Sequence, residues 1–351
     1  MKTGLIPIKK SVLILGSLSS GALEHQYSRG FKLAKWTVSS LDIQNKSNIK
    51  KDRNLASKIL HRITPNHFYK EINMEVISFA KINKPLIILI FKGMELFPET
   101  LLELKKYCKL LCNYNPDHPF KFYSKGAGNA NVINSIKHFD LHFSYSENIC
   151  RQLNIDYKVN SYCVPFGYDE TLKPVKSKAA NLLEQILFIG AWDKDRALKI
   201  KALAEFNVQV FGPDIWNKKL KSLKNINYYN EPLYAQDYVN ACYSATGVLN
   251  FLRPQNIIEQ SHNMRTFEVP GYNGLLISER TEEQLFFFEE DKEAIYFDSI
   301  EELKDKLQFY KAHGSLVSKI KANGNNRSIK SGYAYQNRTK LMISYINKYL
   351  E

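Results

Sequence analysis

Ser261-His-Asn-Met-Arg265-Thr-Phe-Glu268-Val-Pro-Gly271-Tyr-Asn-Gly274-Leu-Leu-Ile-Ser-Glu279-Arg-Thr281 reads as a short helix, a glycine-bounded stop and then a buried strand. Ser261 or Asn263 can cap the helix start. Asn273-Gly274 supplies the left-handed residue that ends it, and Leu275 to Ile277 is a short apolar run of strand type. Arg265 and Glu268 are three apart and so share one helical face. A guanidinium beside a carboxylate at the edge of a parallel sheet has the chemistry for a nucleotide, with Arg on the diphosphate and Glu on the ribose hydroxyls. Taken alone, the pair reads better as a surface ion pair worth about 0.3 kcal/mol. The surrounding sequence decides between the two.

On both sides of this stretch, strand and helix patterns alternate. Val12-Leu-Ile-Leu-Gly16, the small-residue turn Ser17–Gly21 and the amphipathic 22–36 segment read as strand, turn and helix, the opening of a doubly wound α/β domain. The turn lacks a GxGxxG pattern. A second strand is expected over Trp36–Ile43, followed by a mobile basic stretch Gln44–Arg53. A helix over Pro65–Ala80, the strand Leu86–Phe91, a helix over Pro98–Tyr107 and the strand Leu110–Tyr114 follow. After Leu141–Tyr145 (strand) and Glu147–Leu153 (helix), the alternation restarts with Gln185–Gly190. It continues through the strands Val208–Phe211, Ile226–Tyr229, Gly247–Phe251 and Ala294–Phe297, and ends in a helix over Gly332–Tyr349.

A chain of 351 residues exceeds the usual single domain. The pattern predicts an α/β fold of two Rossmann-like doubly wound domains facing a central cleft. Their ranges are 1–165 and 166–335, with 336–351 a C-terminal helix packing back on the first. No apolar run reaches membrane-spanning length, and Ser11–Leu15 is too short for a signal peptide, so a cytoplasmic protein is expected. Five cysteines without CxxC spacing predict reduced, mostly buried thiols, and no His spacing predicts a metal site. The charge is one-sided. Residues 1–165 hold 24 Lys/Arg against 12 Asp/Glu, net +12, and the remainder holds 25 against 23, net +2. Such a field favours an anionic partner for the first domain: a membrane face, an acidic glycan or DNA.

The order of signals resembles the glycosyltransferases of the two-Rossmann-domain type, the GT-B fold. Val164-Pro-Phe-Gly-Tyr-Asp169 with Pro174 is similar to the interdomain linker of the spore-maturation-protein-like enzymes, the group 1 glycosyl transferases. Leu187-Phe-Ile-Gly190 with Arg196 resembles their strand and phosphate-binding turn, and Val210-Phe-Gly212-Pro-Asp-Ile-Trp216 their next strand and loop. Arg265-Thr-Phe-Glu268-Val-Pro-Gly271 is the strongest signature. The same layout is similar to the phage DNA glucosyltransferases.

The resemblance implies a hexosyl- or pentosyltransferase whose second domain holds a nucleotide-sugar co-substrate, a UDP-sugar, and no other cofactor. Gly190, Arg196, Gly212, Arg265 and Glu268 would bind the donor, with Glu268 on the ribose and the two arginines on the diphosphate. With no DxD-like motif, these cations would stand in for a metal in stabilising the leaving group. Asp117, in the proline-bracketed turn Asn115-Pro-Asp-His-Pro119, would be the catalytic base, with His118 as the alternative. Pro, Asn and Asp also form turns on their own account. Ser17, Ser19, Glu24 and His25 would lie on the acceptor side. The position eight before Glu268, a Glu in many retaining members, is Gln260. The expected acceptor is a bacterial surface glycan or lipid-linked saccharide, reached from the inner face of the membrane. The alternative acceptor is a hydroxymethylated base in DNA.

Overall fold

Ile87-Ile-Leu-Ile-Phe91 is buried at every position. A strand can be apolar on both faces only where helices cover both sides of its sheet, which is the situation of parallel sheets. The computed structural model describes residues 10–19, 21–122, 126–175, 185–220, 225–229 and 231–350. The chain divides into two compact units, residues 1–165 with 336–351, and residues 166–335.

The first unit contains β1 (Ser11–Gly16), β2 (Thr37–Asp42), β3 (Ile87–Phe91), β4 (Leu110–Asn115), β5 (Leu141–Ser144) and β6 (Ser161–Cys163). They form one parallel sheet in the order β2-β1-β3-β4-β5-β6. The chain leaves β1 towards β2, then crosses back to β3, so the direction of winding reverses between β1 and β3. The final helix, Tyr335–Asn347, belongs with this unit. Its Tyr345 ring stacks on Tyr162 at 4.4 Å.

The second unit repeats the plan with β7 (Ile186–Ile189), β8 (Val208–Phe211), β9 (Asn227–Tyr229), β10 (Gly247–Asn250), β11 (Leu276–Glu279) and β12 (Ile295–Phe297). Their order is β12-β11-β10-β7-β8-β9, again all parallel. Here winding reverses between β7 and β10. One face of the sheet buries Phe188, Val210, Trp216, Phe251, Ile277 and Phe297 in a single cluster. In open α/β sheets the crevice outside the strands' carboxyl ends, at such a reversal, is where ligands bind. Each unit has one.

Two expectations are corrected. Gln44–Arg53 is not a mobile loop, because Ile43–Asp52 is a helix and a second helix follows at Leu55–Ile63. The Asp42 side chain caps the first by accepting from the Asn45 amide at 2.8 Å. Lys46 and Lys50 then pair with Glu75 and Glu71 of the Pro65–Asn83 helix. A helix held by a cap and ion pairs carries no apolar period to read. Secondly, neither Ser261 nor Asn263 caps the Arg265–Gly271 helix, which has no side-chain cap. The Ser261 hydroxyl accepts from Asn256, and the Asn263 amide is paired reciprocally with that of Asn250. The cysteines are free thiols and mostly buried, as expected: Cys112, Cys150, Cys163 and Cys242 are buried and Cys108 is half-buried.

Candidate functional site

At the reversal in the second sheet, β7 ends at Ile189 and Gly190 begins a tight passage. The Gly190 carbonyl accepts from Trp216 Nε1 at 2.8 Å. A Cβ on Gly190 would lie 3.0 Å from Arg265 Nη2, and one on Gly212 would lie 2.4 Å from the Gly190 carbonyl oxygen. Both positions therefore bring backbone to the sheet edge where a side chain would stand in the way.

Two arginines converge beside this passage. Asp193 caps the Lys194–Ala202 helix by accepting from the Arg196 amide, and Arg196 turns inward until only 4% of it is exposed. Its Nε and Nη2 donate to the Phe251 carbonyl at 3.1 and 2.8 Å, and Nη1 donates to Ala191 O at 3.3 Å. Arg196 thus bridges the ends of β7 and β10 across the reversal. Burial pushes its guanidinium down to about 10, and the nearby charges of Arg265 and Arg253 push the same way against Asp193.

Arg265 reaches from its helix to donate through Nη2 to the Ile189 carbonyl. Its Nε is buried and has no hydrogen-bond partner among the described residues. One turn on, Glu268 Oε2 accepts from Tyr238 OH at 3.1 Å. Burial raises the Glu268 carboxyl above its usual range, against the pull of Arg265 and of the Tyr238 hydroxyl. The start of this helix is anchored by a buried polar chain. Asn250 donates to Ser278 at 3.1 Å, Ser278 to Gln284 at 3.0 Å, and Thr266 to the same Gln284 oxygen at 2.9 Å. Arg196 is also paired with Asp193 at 3.2 Å, which leaves the buried Arg265 Nε as the donor that an anion at this edge would satisfy. Arg253 and Tyr238 were not read from the sequence. Arg253 carries no motif, and Tyr238 sits in a helix whose pattern signals only core.

The first unit holds a second site at its own reversal. A cavity of about 260 Å³ is lined by Gly16, Ser17, Ser19, Glu24, Gln44, Lys92 and Glu95, with Phe91 and Pro116 among the rest. The loop after β1 is tied down on several sides. Ser17 N donates to Glu24 Oε1 at 2.6 Å, Leu18 N donates to Asp42 at 3.1 Å, and Ser17 and Ser19 share a 2.8 Å hydrogen bond. His25 Nε2 lies 2.9 Å from the Leu18 carbonyl, so that nitrogen carries the proton and the ring braces the loop. A Cβ on Gly16 would fall 2.1 Å from Glu24 Oε1. Burial raises both the Glu24 and the Glu95 carboxyls above their usual range. The Ser17 amide opposes this at Glu24 and the Lys92 charge at Glu95, while Asp42 adds to the rise at both.

Asp117 is salt-bridged to Lys92 at 2.6 Å, and its amide donates to Asn115 Oδ1 at 2.9 Å. His118 is buried inside the same turn. Its Nδ1 accepts from the Lys121 amide at 3.1 Å, and its ring packs edge-on against Phe120 at 4.4 Å. That nitrogen is engaged by main chain, so it is not open to a substrate proton. Glu95, Lys92 and Gln44 were missed in the sequence because the pattern gives their side chains no direction.

A family model described as glycosyl transferase-like matches residues 196–344. No curated protein matches the sequence significantly. Among solved structures, the sucrose-phosphate synthase of Thermosynechococcus elongatus superposes with a TM-score of 0.72 at 11% identity, over 97% of this chain and 98% of that one. Anabaena HepE, solved with UDP and glucose, superposes at 0.63 with 9% identity, over 97% and 100%. A putative UDP-N-acetylglucosamine 2-epimerase from Listeria monocytogenes superposes at 0.62 with 13% identity, over 97% of each chain. The chain has the GT-B fold. In this GT-B chain the matched segment contains Arg196, Gly212, Arg253, Arg265 and Glu268, and Gly190 lies just outside it.

Proposed function

We propose that this GT-B chain is a glycosyltransferase that moves a hexosyl or pentosyl group from a UDP-sugar to an acceptor hydroxyl. The observation that carries the reading is the unpartnered Arg265 Nε in the Arg196–Arg253–Arg265 cluster, with Glu268 one turn away. Arg265 contacts the diphosphate, and Arg196 adds its charge and its outer N–H groups while bracing the loop. Glu268 takes the ribose hydroxyls. As the bond from the sugar carbon to the diphosphate oxygen breaks, negative charge grows on the departing nucleotide, and these fixed cations stabilise it without a metal.

The acceptor belongs to the first unit's cavity. Its hydroxyl oxygen forms the new bond to the sugar carbon, and its proton passes to a carboxylate. We assign that role to Glu95 rather than to Asp117. Glu95 is buried in the cavity wall and burial makes it more basic, whereas Asp117 is committed to Lys92. Glu24, Ser17 and Ser19 shape the cavity, and His25 and His118 hold the loops around it.

A lipid-linked saccharide or surface glycan at the cytoplasmic face of the membrane is the acceptor class we favour. The net charge of +12 in residues 1–165 also suits a DNA acceptor carrying hydroxymethylated bases. Duplex DNA binding across a salt series separates them: retained affinity near physiological salt with a steep slope selects DNA. The reaction class is tested by incubating the chain with UDP-, GDP- and dTDP-sugars without acceptor. Slow release of UDP and free sugar is expected. Conversion to an epimeric UDP-sugar without release would overturn the transferase reading.

A further inference from the structure

The Leu55–Ile63 helix inverts the ordinary arrangement of a surface helix. Its large apolar residues recur at positions 55, 59 and 63, one stripe at helical spacing, with Leu60 beside it. Leu55 is 73% exposed, Ile59 49% and Ile63 72%, and Ile49 on the preceding helix is 64% exposed. The helix is nevertheless properly begun, since Asn54 caps it by accepting from the Ser57 amide at 2.7 Å. A well-formed helix that turns its apolar stripe to solvent marks a surface for a partner or a membrane.

The surrounding charge says what. Residues 43–70 contain seven Lys/Arg (Lys46, Lys50, Lys51, Arg53, Lys58, Arg62 and Lys70) and a single acid, Asp52. Lys46 and Lys50 pair with acids of the next helix and Lys51 and Lys58 share Asp52 at 4.0 and 3.6 Å, but Arg53 and Lys70 are exposed and have no acidic partner among the described residues. An apolar stripe rimmed by cations is the surface of a helix that lies in the plane of an anionic bilayer, with aliphatic side chains among the acyl chains and the basic ones at the headgroups. DNA would use the charge and leave the stripe unexplained. A protein partner of the same surface would need matching acids around an apolar groove.

We infer that the Leu55–Ile63 helix, with Ile49 and the basic residues beside it, docks this chain on an anionic lipid surface. The inference deepens the membrane-acceptor reading above by naming the surface, and its test does not depend on turnover. The full chain is sedimented with vesicles of phosphatidylcholine alone or containing about one-third phosphatidylglycerol. Binding to the anionic vesicles, weakened by salt, is expected. Combining Leu55→Ser, Ile59→Ser and Ile63→Ser should lower it by at least about tenfold, and Arg53→Glu by roughly fivefold. The thermal melt and UDP-sugar hydrolysis should not change, since these side chains are exposed and outside both sites.

The inference is overturned if the wild type ignores anionic vesicles, or if the triple variant binds them as well as the wild type. It is also overturned if the wild type is a dimer that the serine substitutions dissociate, or if duplex DNA displaces it from vesicles and its DNA binding falls in the triple variant as far as its vesicle binding does. Hydrolysis without vesicle binding removes the docking surface and leaves the transferase reading standing. Vesicle binding without hydrolysis does the reverse.

Discussion

Arg265 donates to the carbonyl oxygen of Ile189, 76 residues before it in the chain, and this holds its guanidinium beside Gly190 at the end of β7. Its remaining donors, the unpartnered Nε among them, form a fixed fork at the sheet edge. Arg265→Ala should weaken UDP-sugar binding by about 1.5–3 kcal/mol, roughly ten- to a hundredfold, the range for a hydrogen bond to a charged group. Arg265→Lys should recover only part of this, because an ammonium cannot hold the Ile189 carbonyl and a phosphate as a fork does. Glu268→Gln should weaken UDP-sugars while leaving inorganic pyrophosphate unaffected. Calorimetric titration of the three variants checks this, and equal affinity in all of them would remove the donor site.

Gly212 is a test of the same edge by packing. Its Cβ position is 2.4 Å from the Gly190 carbonyl oxygen and 2.8 Å from Trp216, one a backbone atom and the other a fully buried ring. Neither can move without shifting β7 against β8. Gly212→Ala is expected to destabilise the 166–335 unit by about 1–3 kcal/mol and to weaken UDP-sugar binding with it. Gly21→Ala, with nothing within 4 Å of its Cβ but a φ of +80°, should cost only its backbone strain, about 1 kcal/mol. Calorimetric melts of the two variants compare them.

The fold was legible because its central strands, β1, β3, β4, β5, β7, β8 and β10, are buried almost throughout. Continuous runs such as Ile87–Phe91 have few alternative readings, and their alternation with helical spans leaves a parallel sheet as the economical solution. The proposed donor residues could be picked out because Arg265 and Glu268 share a helical face and Gly190 ends a strand, which are local facts. The first unit's cavity was less legible. Glu24 followed from its place after the first turn, but Glu95 reaches the cavity only because β3 neighbours β1 across the reversal, and that is a property of strand order. The Ile43–Asp52 helix was hidden for a related reason, since its stabilising partners Glu71 and Glu75 lie on another helix.

The C-terminal helix meets the first unit through Gly30. A Cβ there would lie 2.2 Å from Thr339 Oγ1 and 2.5 Å from Thr339 Cβ, and Thr339 is fully buried. The same helix is held by Tyr345 stacked on Tyr162 and by the 2.8 Å contact between the Tyr162 and Tyr349 hydroxyls. Gly30→Ala should lower the stability of the 1–165 unit by about 1–3 kcal/mol with no change in UDP-sugar affinity, because the proposed donor residues lie in the other unit. Loss of nucleotide binding in this variant at a temperature where it is folded would contradict the assignment of the donor to residues 166–335.

Glu95 gives the pH dependence. Burial raises its carboxyl above the ordinary 4.5, Lys92 draws it down, and Glu24 and Asp42 push it up. Below pH 4.5 the carboxyl is protonated in the folded and the unfolded chain alike, so it costs nothing. As pH rises from there through the raised folded value, the unfolded chain releases the proton more readily. Stability then falls by about 1.4 kcal/mol for each pH unit of displacement. Glu95→Gln keeps the shape and removes the charge, so it should melt higher than the wild type at pH 7–8, with the difference vanishing below pH 4.5. The same substitution should depress transfer to acceptor at every pH, while acceptor-independent UDP release persists. In the wild type, the acid limb of the transfer profile should lie above 4.5, where Glu95 becomes available as a base. A variant that is more stable at neutral pH yet transfers normally would leave Glu95 a buried strain and return the base to Asp117.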